Sequence, residues 1–319
     1  MNCEQLVLTS LLKRDQTDIN INKLWSQMGL IIKDYCSDNF TITPFYKSFE
    51  TLLIENLNIE LHQFPLISNK KNLIDSLKSL LQNFCLGMVV DIYEIPYCMY
   101  YKEQHELHML EIIDYNHKEF IISDHYYNYY GIIDESSLMN SVYSIVDNFP
   151  DQKNIFFYLD TSNYQINEKT PLNSLKENIE ILKQENKLIE PNLLMGIESI
   201  STFNTLVYNL FIDESNKNLN KRADYLHLMM KDVANSRFLY SEFLQYSFCS
   251  YEIDNLIFQL QELSRMWSIA SNLVLMAKVK GTYIELSKRI YNRISMLLNK
   301  EKNVLNYLND FLCKIENIS

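Results

Sequence analysis

The spacing of apolar residues divides the chain near residue 166. From about Thr170 onward apolar positions recur every three or four residues, the period of a helix with one buried face. Six helices are predicted: Leu172 to Leu188, Leu194 to Phe211, Asn218 to Phe248, Glu252 to Ala277, Tyr283 to Leu298 and Lys302 to Ile318. Pro191, Asp213-Glu214, Ser250 and Gly281 punctuate them. The polar stretch from Asp160 to Thr170, closed by Pro171, reads as a linker. The prediction is an all-α bundle over 166–319.

Upstream the rhythm alternates between helix and strand. Helical stripes run from Glu4 to Lys13, Ile21 to Ile32, Phe45 to Asn56 and Leu73 to Phe84, the third following Pro44. Leu57 to Phe64 and Met88 to Ile95 read as strands, the second stopped by Pro96. Gly131 to Ile133 and Ile155 to Leu159 read as further strands, with a helix from Glu135 to Val146 between them. Helices followed by antiparallel strands give an α+β domain over 1–165.

The stretch ELHMLEIIDYNHKEFIISD, Glu106 to Asp124, reads as a hairpin turning at Asn116-His117-Lys118. Alternation puts His108, Leu110, Ile112 and Asp114 on one face of its first strand, with Met109, Glu111, Ile113 and Tyr115 on the other. Asp124 closes the second strand, so an antiparallel return brings it beside His108. A carboxylate there holds an imidazole in one tautomer and orients it towards a nucleophile. Cys3 stands where the first helix begins, and a helix N-terminus stabilises a thiolate. Cys98, ten residues before His108, follows Pro96-Tyr97 in a loop with no helix to activate it, and Cys36 and Cys85 read as core or helix-end thiols. Asp114 lies six residues from His108, about 20 Å at strand rise, too far to orient it.

Composition narrows the setting. Six cysteines show no CxxC spacing, and no metal-ligand pattern joins them to the six histidines, which points to a reduced, cytoplasmic protein without a metal. Met1-Asn2-Cys3-Glu4 lacks the basic and apolar regions of a signal peptide, and no apolar run is long enough to span a membrane. The net charge of −11 lies wholly in residues 1–165, because 166–319 carry 18 basic and 18 acidic residues. That field disfavours nucleic acid and suits a cationic small molecule such as an amine.

The order Cys3, His108, Asp124 resembles that of papain-like cysteine enzymes. The run MVVDIYEIPYCMYYKEQHELHMLEIIDY resembles the signature of the butirosin biosynthesis protein H family: a strand ending in Asp91, then Tyr93, Pro96 and Tyr97, then the catalytic histidine at His108. The interval from His108 to Asp124 is also similar to that of bacteriocin-processing double-glycine peptidases. Asn2-Cys3 before a leucine-rich helix matches the Asn-Cys start of many members, and Arg237-Phe-Leu-Tyr-Ser-Glu-Phe-Leu resembles their C-terminal helical region.

This resemblance implies a papain-like fold and acyl transfer to an amine, as in butirosin protein H and a related amide synthetase of closthioamide biosynthesis. Cys3 would take an acyl chain from a carrier-protein thioester, His108 would serve as base and then acid, and Asp124 would orient His108. The chain would need no cofactor of its own, since the donor rides on the phosphopantetheine arm of an acyl or peptidyl carrier protein. The implied acceptor is a small amine or polyamine. Asn2, Gln5, Asp91, Tyr93, Tyr97 and His105 would line the substrate cleft, with Glu94 beside Asp91 and the tyrosines 126, 127, 129 and 130 as candidate walls. One departure is the glutamine that usually precedes the cysteine by about six residues, whose oxyanion contact must come here from Asn2, Gln5 or backbone N–H groups. Glu4 stands where many relatives have glycine. Two rival readings remain: a peptidase or thioesterase that admits water, and a non-catalytic scaffold that binds a carrier protein.

Overall fold

The computed structural model describes residues 3–15, 19–37, 39–184, 192–213 and 218–317. In chain order they form α1 (Cys3–Asp15), β1 (Ile31–Lys33), β2 (Thr41–Thr43), α2 (Phe49–Leu57), β3 (Glu60–Pro65), α3 (Lys70–Leu81), β4 (Leu86–Asp91), β5 (Leu107–Asn116), β6 (Glu119–Asp124) and β7 (Tyr129–Asp134). There follow α4 (Glu135–Asn148), β8 (Asn154–Asp160), α5 (Thr170–Lys183), β9 (Leu193–Met195), α6 (Ser199–Ile212), α7 (Leu219–Ser247), α8 (Asp254–Lys280) and α9 (Tyr283–Glu316). The protein is α+β with antiparallel sheets. No helix among the described residues is long and apolar enough to cross a membrane.

Two compact units result, Met1–Ile21 with Leu57–Ile166, and Asn22–Asn56 with Asn167–Ser319. The first is built on a six-stranded sheet in the order β3-β8-β4-β5-β6-β7. Its core joins Leu86, Met88 and Val90 of β4, Leu110 and Ile112 of β5, and Phe120 and Ile122 of β6 to Leu73 and Leu77 of α3 and Leu138, Met139 and Val142 of α4. Alternation along the strands puts these residues on one face, and each buried aliphatic contributes about 1.5–3 kcal/mol. Gly87 lies inside β4 rather than ahead of it. A Cβ there would fall 2.1 Å from the Phe157 ring of β8, so glycine lets the two strands pair. The β5–β6 hairpin turns on His117 and Lys118, both at positive φ, as a two-residue turn of the primed kind requires.

The second unit differs from the sequence reading in four places. Residues 22–56, expected within the first domain of 1–165, belong to it. The reason is nonlocal pairing: β1 takes β2 on one side and β9, some 160 residues further along, on the other, and Arg222 donates to the Phe40 carbonyl at 2.7 Å. Ile21 to Ile32, expected as a helix, is helical only as a 3₁₀ turn over Ile21–Leu24, since its last residues enter β1. The bundle is not all-α, because β9 belongs to that three-stranded sheet. Finally, the two helices expected over 283–298 and 302–318 are one, α9. The stretch between them continues the helix, and Glu301 within it is fully buried.

Candidate active site

The register of the hairpin decides where Asp124 points. Near the turn the pairs are Asn116↔Glu119, Tyr115↔Phe120 and Asp114↔Ile121, but beyond an irregularity after Ile112 they become Ile112↔Ile122 and Glu111↔Ser123. One residue, Ile113, has been looped out as a bulge. Continued by one step, the shifted register sets Asp124 across from Leu110, on the same face as His108 two residues away. Without the bulge Asp124 would oppose Glu111 and face the other way. The diagonal pairing is within reach of an imidazole, and His108 Nε2 lies 2.8 Å from Asp124 Oδ2.

Both side chains are enclosed, His108 at 6% exposure and Asp124 at none. Asp124 has all its acceptor positions filled. Oδ2 also accepts the Tyr97 hydroxyl at 2.8 Å, and Oδ1 accepts the backbone N–H groups of Tyr126 and Tyr127 at 3.1 and 3.2 Å. Burial alone would raise this carboxyl, but the bond and charge of His108, with those of Tyr97 and Tyr127, hold it below the ordinary carboxylate range. For His108, burial alone would lower the pKa; hydrogen bonds to Asp124 and then Cys3, with their charges, push it up to about 9. Asp124 occupies Nε2, which leaves Nδ1 as the ring nitrogen for the Cys3 thiol. Cys3 opens α1 and is half-buried.

Aromatic rings surround this arrangement. Tyr126 and Tyr127 meet the His108 ring edge to face at 5.7 and 5.1 Å and stand at 80° to one another. Tyr126 is exposed, so it forms the outer wall. Tyr97 stacks on Tyr129 at 3.8 Å, which fixes its hydroxyl against Asp124. Burial, followed by the Asp124 charge and bond, pushes the Tyr97 phenol far up, so it acts as a permanent donor.

The other predicted site residues fall into three groups. Asp91, Tyr93 and His105 form a second node at the end of β4. Asp91 is fully buried and accepts from the Tyr93 and Glu106 backbone N–H groups at 3.1 and 3.2 Å and from Ser144 Oγ at 2.7 Å, while His105 Nδ1 lies 2.7 Å away. With four partners its carboxylate has no lone pair left for an amine, and its work is to shape the loop. His105 stacks on Tyr93 at 4.1 Å and keeps 40% of its side chain exposed. Glu94 is tied to Lys102. Gln5 is 1% exposed, inside the unit, and Asn2 lies outside the described residues. Cys98 is buried and its sulfur accepts the Tyr100 N–H at 3.5 Å, and Asp114 is exposed.

Sequence reasoning missed the job of Tyr97 as an Asp124 donor and the part played by Glu111, Ser10 and Arg14, which tie α1 to β5. A signal for Glu111 was present, a carboxylate set in the apolar run LHMLEII, where only a partnered charge is tolerated. Among the described residues no group of three or more His, Cys, Asp or Glu side chains is placed to hold a metal ion. No family model matches the chain, and no curated protein matches it.

Proposed function

We propose that this chain is a papain-like cysteine acyltransferase that forms amides, with Cys3 as nucleophile, His108 as proton carrier and Asp124 as its orienting carboxylate. The observation that carries the reading is His108 bonded at Nε2 to a buried carboxylate, beside a half-buried thiol at a helix N-terminus that helps to raise its pKa. Cys3 sulfur adds to the carbonyl of a carrier-bound thioester, and the carrier thiol leaves with the proton that His108 supplies. An amine then adds to the enzyme thioester, His108 takes the amine proton, and the C–S bond breaks to release the amide and free Cys3. First-turn N–H groups of α1 have no intrahelical acceptor, and we assign them to the oxyanion of each intermediate.

Charge supports the choice of acceptor and donor. Of the chain's 29 basic and 40 acidic residues, 8 and 18 belong to the unit that holds the triad. An ammonium-bearing acceptor is drawn to that unit, whereas an acidic carrier protein fits the other, which is close to neutral. The six cysteines are all free, as a protein of the reducing cytoplasm would have them. The resemblance to the butirosin protein H family points the same way.

The test is intact-mass spectrometry of wild type and Cys3→Ala after incubation with small acyl thioesters, then with diamines and aminoglycosides. An acyl mass gained by wild type alone and discharged by amines as amide is the expected result. Discharge by water alone makes the protein a thioesterase or peptidase, and absence of any acylation returns it to a binding scaffold.

A further inference from the structure

Glu111 is a fully buried carboxylate in the middle of β5, and three residues converge on it. Oε1 accepts Arg14 Nε at 2.7 Å, while Oε2 accepts Ser10 Oγ at 2.9 Å and Arg14 Nη2 at 3.3 Å. His125 Nε2 lies 3.3 Å from the same Oε2 and 3.2 Å from Ser123 Oγ. Ser10 and Arg14 both belong to α1, four residues apart and so on one face of it.

Lengths show what this tie does. Cys3 precedes Ser10 by seven residues, about 10 Å of helix. His108 precedes Glu111 by three residues, again about 10 Å of strand. Alternation puts Glu111 and His108 on opposite faces of β5, so a helix pinned at Ser10 to Glu111 and running along β5 sets its first residue level with His108 along the strand, and it is this level, not a shared face, that the tie fixes. Arg14 adds a forked, charged contact that resists both sliding and rotation about the helix axis.

Resting on the acyltransferase reading, we propose that Glu111 is a positioning residue, which through Ser10 and Arg14 fixes α1 along β5 so that the Cys3 thiol meets the His108 ring. It touches no reacting atom. It sets the register between the two elements that carry them, and a loss of register of one ångström is enough to cost about 100-fold in rate.

The experiment is alkylation of Cys3 by iodoacetamide, read peptide by peptide so that the exposed Cys36, Cys249 and Cys313 do not interfere. It compares wild type, Glu111→Gln, Arg14→Lys and Ser10→Ala across pH 5 to 9, with thermal unfolding of each. Glu111→Gln is expected to slow Cys3 by about 100-fold at pH 6 and to turn its pH profile into that of a model thiol. Ser10→Ala, which removes one bond and keeps the fold, should shift rate and profile in the same direction by less, and Arg14→Lys should fall between. Variants that unfold at lower temperature yet keep the wild-type rate and profile at Cys3 overturn the proposal, because Glu111 is then structural only. Should Glu111→Gln not fold, Ser10→Ala and Arg14→Lys decide by the same criterion. If wild-type Cys3 itself reacts no faster than a model thiol, and His108→Ala leaves that rate unchanged, the acyltransferase reading fails and the positioning role goes with it.

Discussion

Each unit buries an acid–base pair, and the two pairs are built for opposite ends. In the sheet unit, Asp124 spends its acceptor positions on His108, Tyr97 and two backbone N–H groups, and His108 still has a nitrogen for the half-buried Cys3. In the helical unit, Arg237 of α7 and Glu301 of α9 are both fully enclosed, 3.0 Å apart. Trp267 of α8 donates to the same Glu301 oxygen at 2.8 Å and Arg237 donates to the Gly29 carbonyl at 2.8 Å, while Glu301 Oε2 has no hydrogen-bond partner among the described residues. The first pair lies beside a thiol and its cation can give up a proton. The second opens onto nothing and its cation cannot, since a guanidinium stays charged even where burial lowers its pKa. A buried ion pair is thus not a site in itself; a proton that can leave and a neighbour to receive it make it one.

The sharpest way to break that contrast is to swap charge for amide in the first pair. Asp124→Asn keeps the shape but favours the wrong imidazole tautomer, and the rate of the proposed acyl transfer should fall by roughly 10⁴-fold while stability falls by no more than about 3 kcal/mol. Steady-state kinetics beside thermal unfolding would show it. The second pair should respond in the reverse sense. Removing one partner, as in Arg237→Met, leaves Glu301 charged and buried and should cost about 3–5 kcal/mol in chemical denaturation. The double change Arg237→Met with Glu301→Leu should recover most of that loss, because the desolvation it relieves offsets the attraction it removes. In both, Cys3 of the folded protein should keep its wild-type alkylation rate. If Asp124→Asn costs stability and not rate, or Arg237→Met the reverse, the contrast drawn above is wrong.

Legibility in the sequence follows the same division. The hairpin and the approach of Asp124 to His108 could be read because both rest on local alternation and a short turn. That they share a face could not, since it depends on the bulge at Ile113, and nothing in EIIDYN marks one isoleucine as looped out. Likewise Ile31 and Ile32 looked helical because their partner strand Leu193–Met195 lies far along the chain, beyond the reach of any periodicity. The burial of Glu301 was not legible for a different reason. Between two lysines it resembles solvated surface, and only the arrival of Arg237 and Trp267 makes its burial tolerable. Of the candidate site, the residues that could act were readable from their types, whereas of those that hold α1 to β5 only Glu111 left a mark, a carboxylate in an apolar run, and Ser10 and Arg14 left none.

The pH dependence separates the pairs further. The folded His108 sits at about 9 against an ordinary 6.5, so its contribution is fully present below 6.5 and is lost as pH rises through about 9. A shift of that size corresponds to roughly 3 kcal/mol at most. Denaturant titrations of wild type at pH 6 and pH 9 should show the loss, and Asp124→Asn should flatten it because the strongest upward influence on His108 is gone. Arg237 adds no slope in that window, as it stays charged throughout. A wild-type slope that persists undiminished in Asp124→Asn would assign it to other groups.

Tyr97→Phe probes the smallest effect and the one that speaks most directly to how the load is shared. The change deletes a single hydroxyl and retains the ring, which stacks on Tyr129 at 3.8 Å, so the packing around Asp124 survives. What is lost is one of four hydrogen bonds to that carboxylate, leaving two backbone N–H groups and His108 in place. A hydrogen bond to a charged group is worth about 1.5–3 kcal/mol when no other donor compensates. Here three remain, so the rate of the proposed acyl transfer should drop by no more than about tenfold, the equivalent of about 1.4 kcal/mol. The outcome that matters is the ratio to Asp124→Asn. A loss near tenfold means that Asp124 is held by several donors of comparable weight and that its charge, not any one contact, is what His108 needs. A loss approaching that of Asp124→Asn means that the Tyr97 hydroxyl alone sets the orientation of the carboxylate, and the active pair would then be a four-residue relay running from Tyr97 through Asp124 and His108 to Cys3.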